Sequence, residues 1–316
     1  MRIVVNTIDK SKYEIENITE LSFTQTAGVA CDCLCVSFKS SSPVGEIVTV
    51  KAYEGDVLLF SGYCDNQRIS QNSSGFEVYF YARSTASVLV DNEAEPFTYV
   101  KPTAKQLWFT YARPFGFTCQ LPVISTDEKY EVTKGTSCYG AINQFVSLKT
   151  SQPVYVTPDN CIRLLERSKD VKSLNYYKIL SAVYVINRSE PLSRICFKRN
   201  SGDAGYRINT KANVCEDLEL NERKQYVNLS ALPQWQREYA VLQKLKRSYD
   251  DYKILELTVS GWVKENLYQR FSYRSRAYEF DDFVLTEKRY ICDEKGSVTK
   301  LTLKKEIDVK EITYVD

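Results

Sequence analysis

The sequence predicts a mainly β chain with an α+β insertion, in which two small β-barrel-like domains flank one α+β domain. Short segments with alternating apolar residues recur in residues 1–96 and again in residues 171–316. Apolar residues at helical spacing are concentrated between them, in residues 97–170. Tyr (23) and Phe (14) are abundant whereas Met occurs once, and aromatic residues favour strands. We therefore expect three domains with these boundaries.

The first 96 residues predict six or seven short strands, at a spacing typical of a small barrel or sandwich. The sequence Glu-Gly-Asp at 54–56 predicts a hairpin turn, and Gln-Asn-Ser-Ser-Gly at 71–75 predicts a tight turn. A helical turn ending at Asp91 closes this segment. The predicted strands lie at 3–5, 21–24, 31–38, 47–53, 57–60 and 76–83.

Residues 97–170 predict two helices and a hairpin. Thr103 and Gln106 form a capping-box pattern for the first helix, which we expect Pro114 to end. A second helix is expected from about Ser137, followed by a hairpin around the turn at 157–160. The predicted buried faces are Ala104, Leu107, Trp108 and Tyr111 in the first helix, and Cys138, Ala141, Ile142 and Phe145 in the second.

Strands resume after residue 171, and one helix is expected near 233–247. Pro233 suits the first turn of that helix, and residues 200–224 are polar enough to predict a long loop. The predicted strands lie at 182–188, 193–197, 254–259, 283–292 and 298–303. The helix is expected to bury Trp235, Tyr239, Leu242 and Leu245.

Composition excludes several kinds of chemistry. The chain has no His, so neither a Ser-His-Asp nor a Cys-His site can form within it, and no phosphate-binding glycine motif occurs. Lys plus Arg (42) nearly balance Asp plus Glu (40). We therefore predict no enzyme activity, no cofactor, no catalytic or metal residues and no specific nucleic-acid binding.

The sequence contains neither a signal-peptide core nor an apolar run of about 18 residues, so we expect no membrane segment. Ten scattered Cys without an export signal predict free thiols in a reducing cytosol.

Two groups of residues could nevertheless suggest chemistry. Cys31, Cys33 and Cys35 place three thiols on one strand face, but zinc sites favour paired Cys-x2–4-Cys knuckles. We expect these Cys to be small buried residues of a barrel. The adjacent acids at 250–251 (Asp250 and Asp251) and 281–282 (Asp281 and Asp282) should point apart, unlike a glycosidase pair.

Two further groups could suggest nucleic-acid contact. Lys244, Lys246 and Arg247 are expected on a solvated helix face. Tyr79, Tyr81, Tyr176 and Tyr177 are expected in strands, as core or subunit interface rather than as a platform for stacked bases.

Several short motifs follow one another along the chain. They are Phe-Ser-Gly-Tyr at 60–63, Ala-Arg-Ser at 82–84, and Ala-Ser-Val-Leu-Val-Asp at 86–91. They continue with Pro-Phe-Gly-Phe at 114–117, Gly-Thr-Ser at 135–137, Pro-Asp-Asn at 158–160, and a final hairpin with Tyr290, Asp293 and Gly296. In this order the motifs resemble those of the baseplate hub proteins of contractile phage tails, the Mu-like hub family that includes phage-like particles of Gram-positive bacteria. Ala82 and Asn160 stand where the family usually has Gly.

The resemblance implies a structural hub. It implies a homotrimeric ring that adapts the hexameric tail tube to the trimeric spike, with the tube protein, the spike protein and other baseplate proteins as partners. The location would be the tail tip of a virion or phage-like particle assembled in the bacterial cytoplasm. An infectious phage and a tail-like bacteriocin both remain open. The alternative is a cell-wall (peptidoglycan) hydrolase of the tail tip.

Overall fold

The computed structural model describes residues 1–73, 75–198, 202, 204–206, 208–229, 234–309 and 312–315. The chain forms two compact units. The first unit comprises residues 1–167, 259–268 and 287–300, and the second comprises residues 168–258, 269–286 and 301–316. The mainly β class with helices inserted between strands is confirmed. The boundaries at 96 and 170 stay a prediction.

Among the described residues there are 22 strands and five α-helices. The strands are β1 (Arg2–Thr7), β2 (Lys12–Glu14), β3 (Ile18–Thr26), β4 (Cys33–Ser40), β5 (Ile47–Glu54), β6 (Val57–Asn72), β7 (Gly75–Ser84), β8 (Phe97–Val100), β9 (Thr118–Cys119), β10 (Lys129–Val132), β11 (Val154–Val156), β12 (Cys161–Leu164), β13 (Val171–Ser173), β14 (Ile179–Ile186), β15 (Arg194–Phe197), β16 (Ile208–Ala212), β17 (Lys224–Val227), β18 (Lys253–Ser260), β19 (Arg270–Arg274), β20 (Glu279–Asp293), β21 (Gly296–Lys305) and β22 (Ile312–Val315). The helices are α1 (Ser87–Asp91), α2 (Ala104–Tyr111), α3 (Cys138–Thr150), α4 (Val214–Asp217) and α5 (Gln234–Tyr249).

The first unit contains a sheet with the strand order β20–β3–β4–β7–β6–β5–β1–β2. Every pairing along this order is antiparallel. Ile3 of β1, Phe23 of β3 and Phe80 of β7 belong to one hydrophobic core. Because strands from both ends of the order fill the same core, the sheet must curve around it, as the barrel-like prediction requires.

The two predicted turns of this sheet are present, and the second is shorter than expected. Gly55 has a φ of 56° between β5 and β6, a conformation that glycine adopts without strain. Pairing of β6 with β7 continues to Asn72 opposite Gly75, so residues 71 and 72 belong to the strand. Ser74 lies outside the described residues.

A second core of the first unit is built by the α+β segment. Thr103 accepts a hydrogen bond from the Gln106 amide, which confirms the cap of α2, and Ser137 caps α3 in the same way. All four residues expected on the buried face of α3 are buried. The first helix ends at Tyr111, before Pro114, which lies in a 3₁₀ helix at Arg113–Phe115.

The second unit contains more strands than the sequence predicts. The prediction of a long loop over residues 200–224 is wrong, because this segment contains β16 and α4. The four-stranded sheet β17–β15–β16–β22 packs its core side chains with α5. Its strands are short and rich in polar residues, so apolar alternation is weak there.

The helix expected near 233–247 is present as α5, but its buried face differs. Val241, Leu245 and Tyr249 are buried, whereas Tyr239 and Leu242 are half-buried. Pro233 and the side chain of Trp235 lie outside the described residues. In the part of the chain that the structure describes, no helix is long and apolar enough to span a membrane.

Candidate functional site

Residues from three of the motifs that carry the sequence resemblance meet, together with Thr85, at the end of β7, in what we call the closing junction (Ser61, Gly62, Arg83, Ser84, Thr85 and Asp91). Gly62 lies opposite Ser84, and a Cβ atom added to Gly62 would lie 2.1 Å from the Arg83 carbonyl oxygen. Real side chains do not approach a backbone oxygen so closely. Gly62 is therefore required by the close approach of β6 to β7.

Arg83 links β6 to α1 across the junction. Its Nε donates to Asp65 Oδ2 at 2.5 Å, and its Nη1 and Nη2 donate to the two Asp91 oxygens at 2.9 and 2.7 Å. These bonds lower the pKa of the Asp91 carboxyl. The planar guanidinium can serve two carboxylates at once, so Arg83 fixes the helical turn at the strand end.

The next two residues attach the junction to other parts of the first unit. The Ser84 amide donates to the Asp32 carbonyl at 2.9 Å, and the Ser84 hydroxyl accepts from the Asp32 amide at 3.2 Å. The Thr85 hydroxyl donates to Asn160 Oδ1 at 2.6 Å, and the Thr85 amide donates to the Ser61 carbonyl at 2.9 Å. The junction therefore joins the sheet to the 157–160 turn.

Next to the junction, Asp32 is a buried carboxylate. Its side chain accepts hydrogen bonds from Gln25 Nε2 at 2.9 Å and from the Tyr155 hydroxyl at 3.3 Å. Burial raises the pKa of Asp32 to about 6, although these bonds and the charge of Lys288 oppose the increase.

Lys288 is the cation that acts on Asp32. Only 3% of Lys288 is exposed, and its Nζ donates to the Glu265 carbonyl at 2.9 Å and to the Val263 carbonyl at 3.4 Å. It lies 4.4 Å from the centroid of the Trp262 ring. Burial lowers the pKa of Lys288 to about 8. The first unit thus holds two charges of opposite sign in its interior.

The thiols of Cys33 and Cys35 in β4, and of Cys31 just before it, occupy the other face from the one expected. Cys31, Cys33 and Cys35 are half-buried, whereas Asp32 and the apolar residues that alternate with them are buried. Their predicted place in the barrel core is therefore wrong, because Leu34, Val36 and Phe38 fill it. Within the described ranges, no group of three or more His, Cys, Asp or Glu residues could hold a metal ion.

The adjacent acids are engaged separately. Asp282 forms a bidentate ion pair with Arg270, while the Asp281 carbonyl accepts from Lys305 Nζ at 2.7 Å. Asp251 pairs with Lys304 at 2.7 Å. One carboxylate of each pair, that of Asp282 and that of Asp251, is thus held by a cation.

The basic and aromatic candidates also lie apart. Lys244 and Lys246 are half-buried on α5 and Arg247 is exposed. Tyr79 and Tyr81 lie on β7, on the face opposite the core, where the Tyr81 hydroxyl is 3.2 Å from the Cys33 sulfur. Tyr176 is 90% exposed at the end of a 3₁₀ helix and Tyr177 follows it, so their placement in strands is wrong.

One exposed apolar element of the second unit is β14. Its sequence, ILSAVYVI, has no charged residue, and β18 is its neighbour on one side only among the described strands. Leu180, Val183 and Ile186 are each about half exposed. A long apolar edge strand pairs readily with another chain, so β14 is a candidate contact surface.

Sequence reasoning missed Asp32, Lys288 and the exposure of β14. The burial of Asp32 could have been predicted, because in an alternating strand pattern it lies on the same face as Leu34, Val36 and Phe38. A charged residue in register with core positions indicates a buried, partnered charge. The β14 sequence offers no such signal, because an apolar run is equally typical of a buried strand.

The fold is that of known phage tail proteins. The 43 kDa tail protein of prophage MuSo2 from Shewanella oneidensis superposes with a TM-score of 0.79 at 12% identity, over 96% of this chain and 98% of that one. The tail protein from Neisseria meningitidis MC58 gives 0.76 at 16% identity, over 96% of each chain.

More distantly, the Escherichia coli c3393 protein, described as a type VI secretion component similar to bacteriophage T4 tail proteins gp27 and gp5, gives 0.60 at 8% identity. That superposition covers 92% of this chain and 74% of the other. No family model and no curated protein matches the sequence. At these identities the likeness establishes the fold, and the fold implied by the sequence resemblance is confirmed.

Proposed function

We propose that this protein is a structural baseplate hub of a contractile phage tail or tail-like particle. The observation that carries the proposal is the superposition on two prophage tail proteins over nearly the whole of both chains. Such coverage supports a shared overall design and not just a common small domain. The closing junction adds support, because Arg83 of one motif binds Asp91 of the next.

In this proposal three copies form a ring that joins the hexameric tail tube to the trimeric spike, at the tail tip of a particle assembled in the bacterial cytoplasm. Each chain contributes two β-rich parts, so three chains offer six comparable edges to the tube. The ring contacts the tube protein, the spike protein and other baseplate proteins. The apolar strand β14 is the candidate ring contact with a second copy, since closed rings bury such edges.

The role is non-catalytic in this proposal. In each acid pair one carboxylate, that of Asp282 or that of Asp251, is held in an ion pair, which disfavours a catalytic role for the pair. Tail-tip hydrolysis of peptidoglycan is the competing activity.

Deletion of the gene from the producing strain tests the proposal. A hub is needed for assembly, so we expect particles without baseplates, visible by electron microscopy and restored by the wild-type gene. Loss of a hydrolase would leave complete particles that fail to penetrate, and the purified chain would clear peptidoglycan in a zymogram. Either of those results would contradict the hub.

A further inference from the structure

Strand β20 contains a β-bulge where it pairs with β19 in the second unit. The register shifts between Phe271 and Tyr273 of β19, which lie opposite Phe283 and Phe280 of β20. Two residues of β20 are therefore accommodated against one residue of β19, which defines a bulge. One of the two, Asp282, has a φ of 61°, in the left-handed region that Gly adopts most readily.

The bulge decides the direction of the Phe280 side chain. Side chains three positions apart in a regular strand point to opposite faces of the sheet. The extra residue removes this difference, so Phe280 and Phe283 are both buried, with their ring centroids 5.9 Å apart. Tyr273 stacks on Phe280 with centroids 6.1 Å apart. The bulge thus builds an aromatic cluster that a regular strand of this sequence would divide between two faces.

The cluster packs against β14, the exposed apolar strand. Tyr184 of β14 lies 4.9 Å from Phe280 and 6.3 Å from Phe283, measured between ring centroids. Aromatic pairs at these distances add to the stability that buried area provides. Leu180 and Val183 of β14 are each about half exposed, so the ring contacts of Tyr184 help to fix a strand that is otherwise open to solvent.

Two cations hold the bulge. Arg270 of β19 forms a bidentate ion pair with the Asp282 carboxylate. Lys305 Nζ donates to the Asp281 carbonyl at 2.7 Å and lies 5.8 Å from the centroid of the Phe283 ring. A bulge disrupts the ladder of hydrogen bonds, and Lys305 gives the Asp281 carbonyl a partner. Arg270 in turn holds the side chain of the residue whose backbone is left-handed.

We propose that this bulge is the device that positions β14 for contact with a second copy of the chain, and that Asp282 and Arg270 are its positioning residues. The left-handed backbone at Asp282 brings Phe280 to the face of Phe283, and these two rings hold Tyr184 in place. The identity of the partner rests on the proposed function. The link from the bulge to β14 concerns the single chain and is tested without assembly.

Hydrogen exchange measured by mass spectrometry on the purified full chain tests this link. Asp282→Val puts a β-branched side chain at a positive φ, which disfavours the bulge. We expect the amides of β14 to exchange at least about tenfold faster, because Tyr184 loses its two ring contacts. Amides of β15 and β16, in the four-stranded sheet, are the internal reference and should exchange as in the wild type.

Two control variants separate backbone conformation from charge. Asp281→Val removes the same charge from the adjacent residue, whose φ is not positive, and should leave β14 exchange near the wild-type rate. Asp282→Gly removes the ion pair but adopts the left-handed conformation without strain, so it should also retain the wild-type rate.

Arg270→Met tests the positioning role of the guanidinium. It should accelerate β14 exchange in the wild-type chain, where an Asp occupies the left-handed position, and should have no such effect in the Asp282→Gly background. If Asp282→Val also accelerates exchange in the reference strands, the Arg270→Met pair decides the result. An unchanged β14 rate in Arg270→Met, or equal acceleration by Asp281→Val and Asp282→Val, would overturn the inference. Normal particles with Val183→Lys would contradict the proposed contact of β14, which is a separate result from the exchange data.

Discussion

At the scale of single residues, Gly62 is a motif position at which the close approach of two strands admits only glycine. Gly62→Ala would force a Cβ atom against the Arg83 carbonyl, so β6 and β7 must separate there. We expect a loss of roughly 2 kcal/mol or more in the free energy of unfolding, measured by urea titration. Gly45→Ala is the matched control, because its Cβ would have only ordinary contacts at 3.6 Å. Equal stability of the two variants would contradict the close approach.

Asp32 makes a second residue-scale prediction. Its pKa is raised from 3.8 to about 6, so its contribution to stability is full below pH 3.8 and is lost as the pH rises through 6. The shift corresponds to roughly 3 kcal/mol. Asn resembles the protonated acid, so the change in unfolding free energy caused by Asp32→Asn should be more favourable at pH 7 than at pH 4.5. A pH-independent difference in urea titrations would contradict the buried charge.

The thiols give a third prediction. None of the ten Cys forms a disulfide in the structure, and burial raises the pKa of Cys31 to about 11, which slows its reaction at neutral pH. Alkylation in denaturant without reductant should add ten adducts to the intact mass. A shortfall of two or four adducts would indicate disulfides.

For single residues, the sequence predicts that a segment forms a strand better than it predicts which side chains are buried. The alternation of residues in β4 correctly predicts a strand, but it does not determine which face of the strand is buried. Both faces carry apolar or small residues, so the prediction that the Cys face is buried is wrong. The apolar set Leu34, Val36 and Phe38 decides the face because it offers more area for burial. Asp32 lies on the same face as these three residues and is therefore buried with them.

At the scale of elements, β14 is the surface on which assembly is expected to depend. Val183→Lys places a charge on an exposed strand, so folding should be unaffected while contact with another chain is lost. We expect a normal urea midpoint and particles without baseplates when this variant replaces the wild type. Val57→Lys, at a similarly exposed position, is the control and should assemble normally. Normal particles with Val183→Lys would exclude β14 as a contact strand.

Elements with strong local signals are predicted well. The caps of α2 and α3 and the β5–β6 hairpin follow from single side chains and turn residues. The short strands β13, β17 and β19 are missed, since three to five residues carry too little periodicity. The face of α5 shifts because tertiary packing against β15 and β16 selects Val241, Leu245 and Tyr249.

At the scale of the whole molecule, the order of motifs predicts the fold although each motif is weak. Gly62, Arg83 and Asp91 belong to three different elements, β6, β7 and α1, and the fold joins them in one junction. What the sequence does not supply is the division into units, because residues 259–268 and 287–300 join the first unit from far along the chain. Contacts between segments so far apart along the chain produce no local sequence pattern from which they could be predicted.

The central claim is that three copies of this chain form a ring between the tail tube and the spike. Electron cryomicroscopy of the purified particle, with the chain fitted to the tail-tip density, measures copy number and position together. The account predicts three copies around the axis, directly below the last tube ring and above the spike. A different copy number, or density for this chain away from the axis, would contradict it.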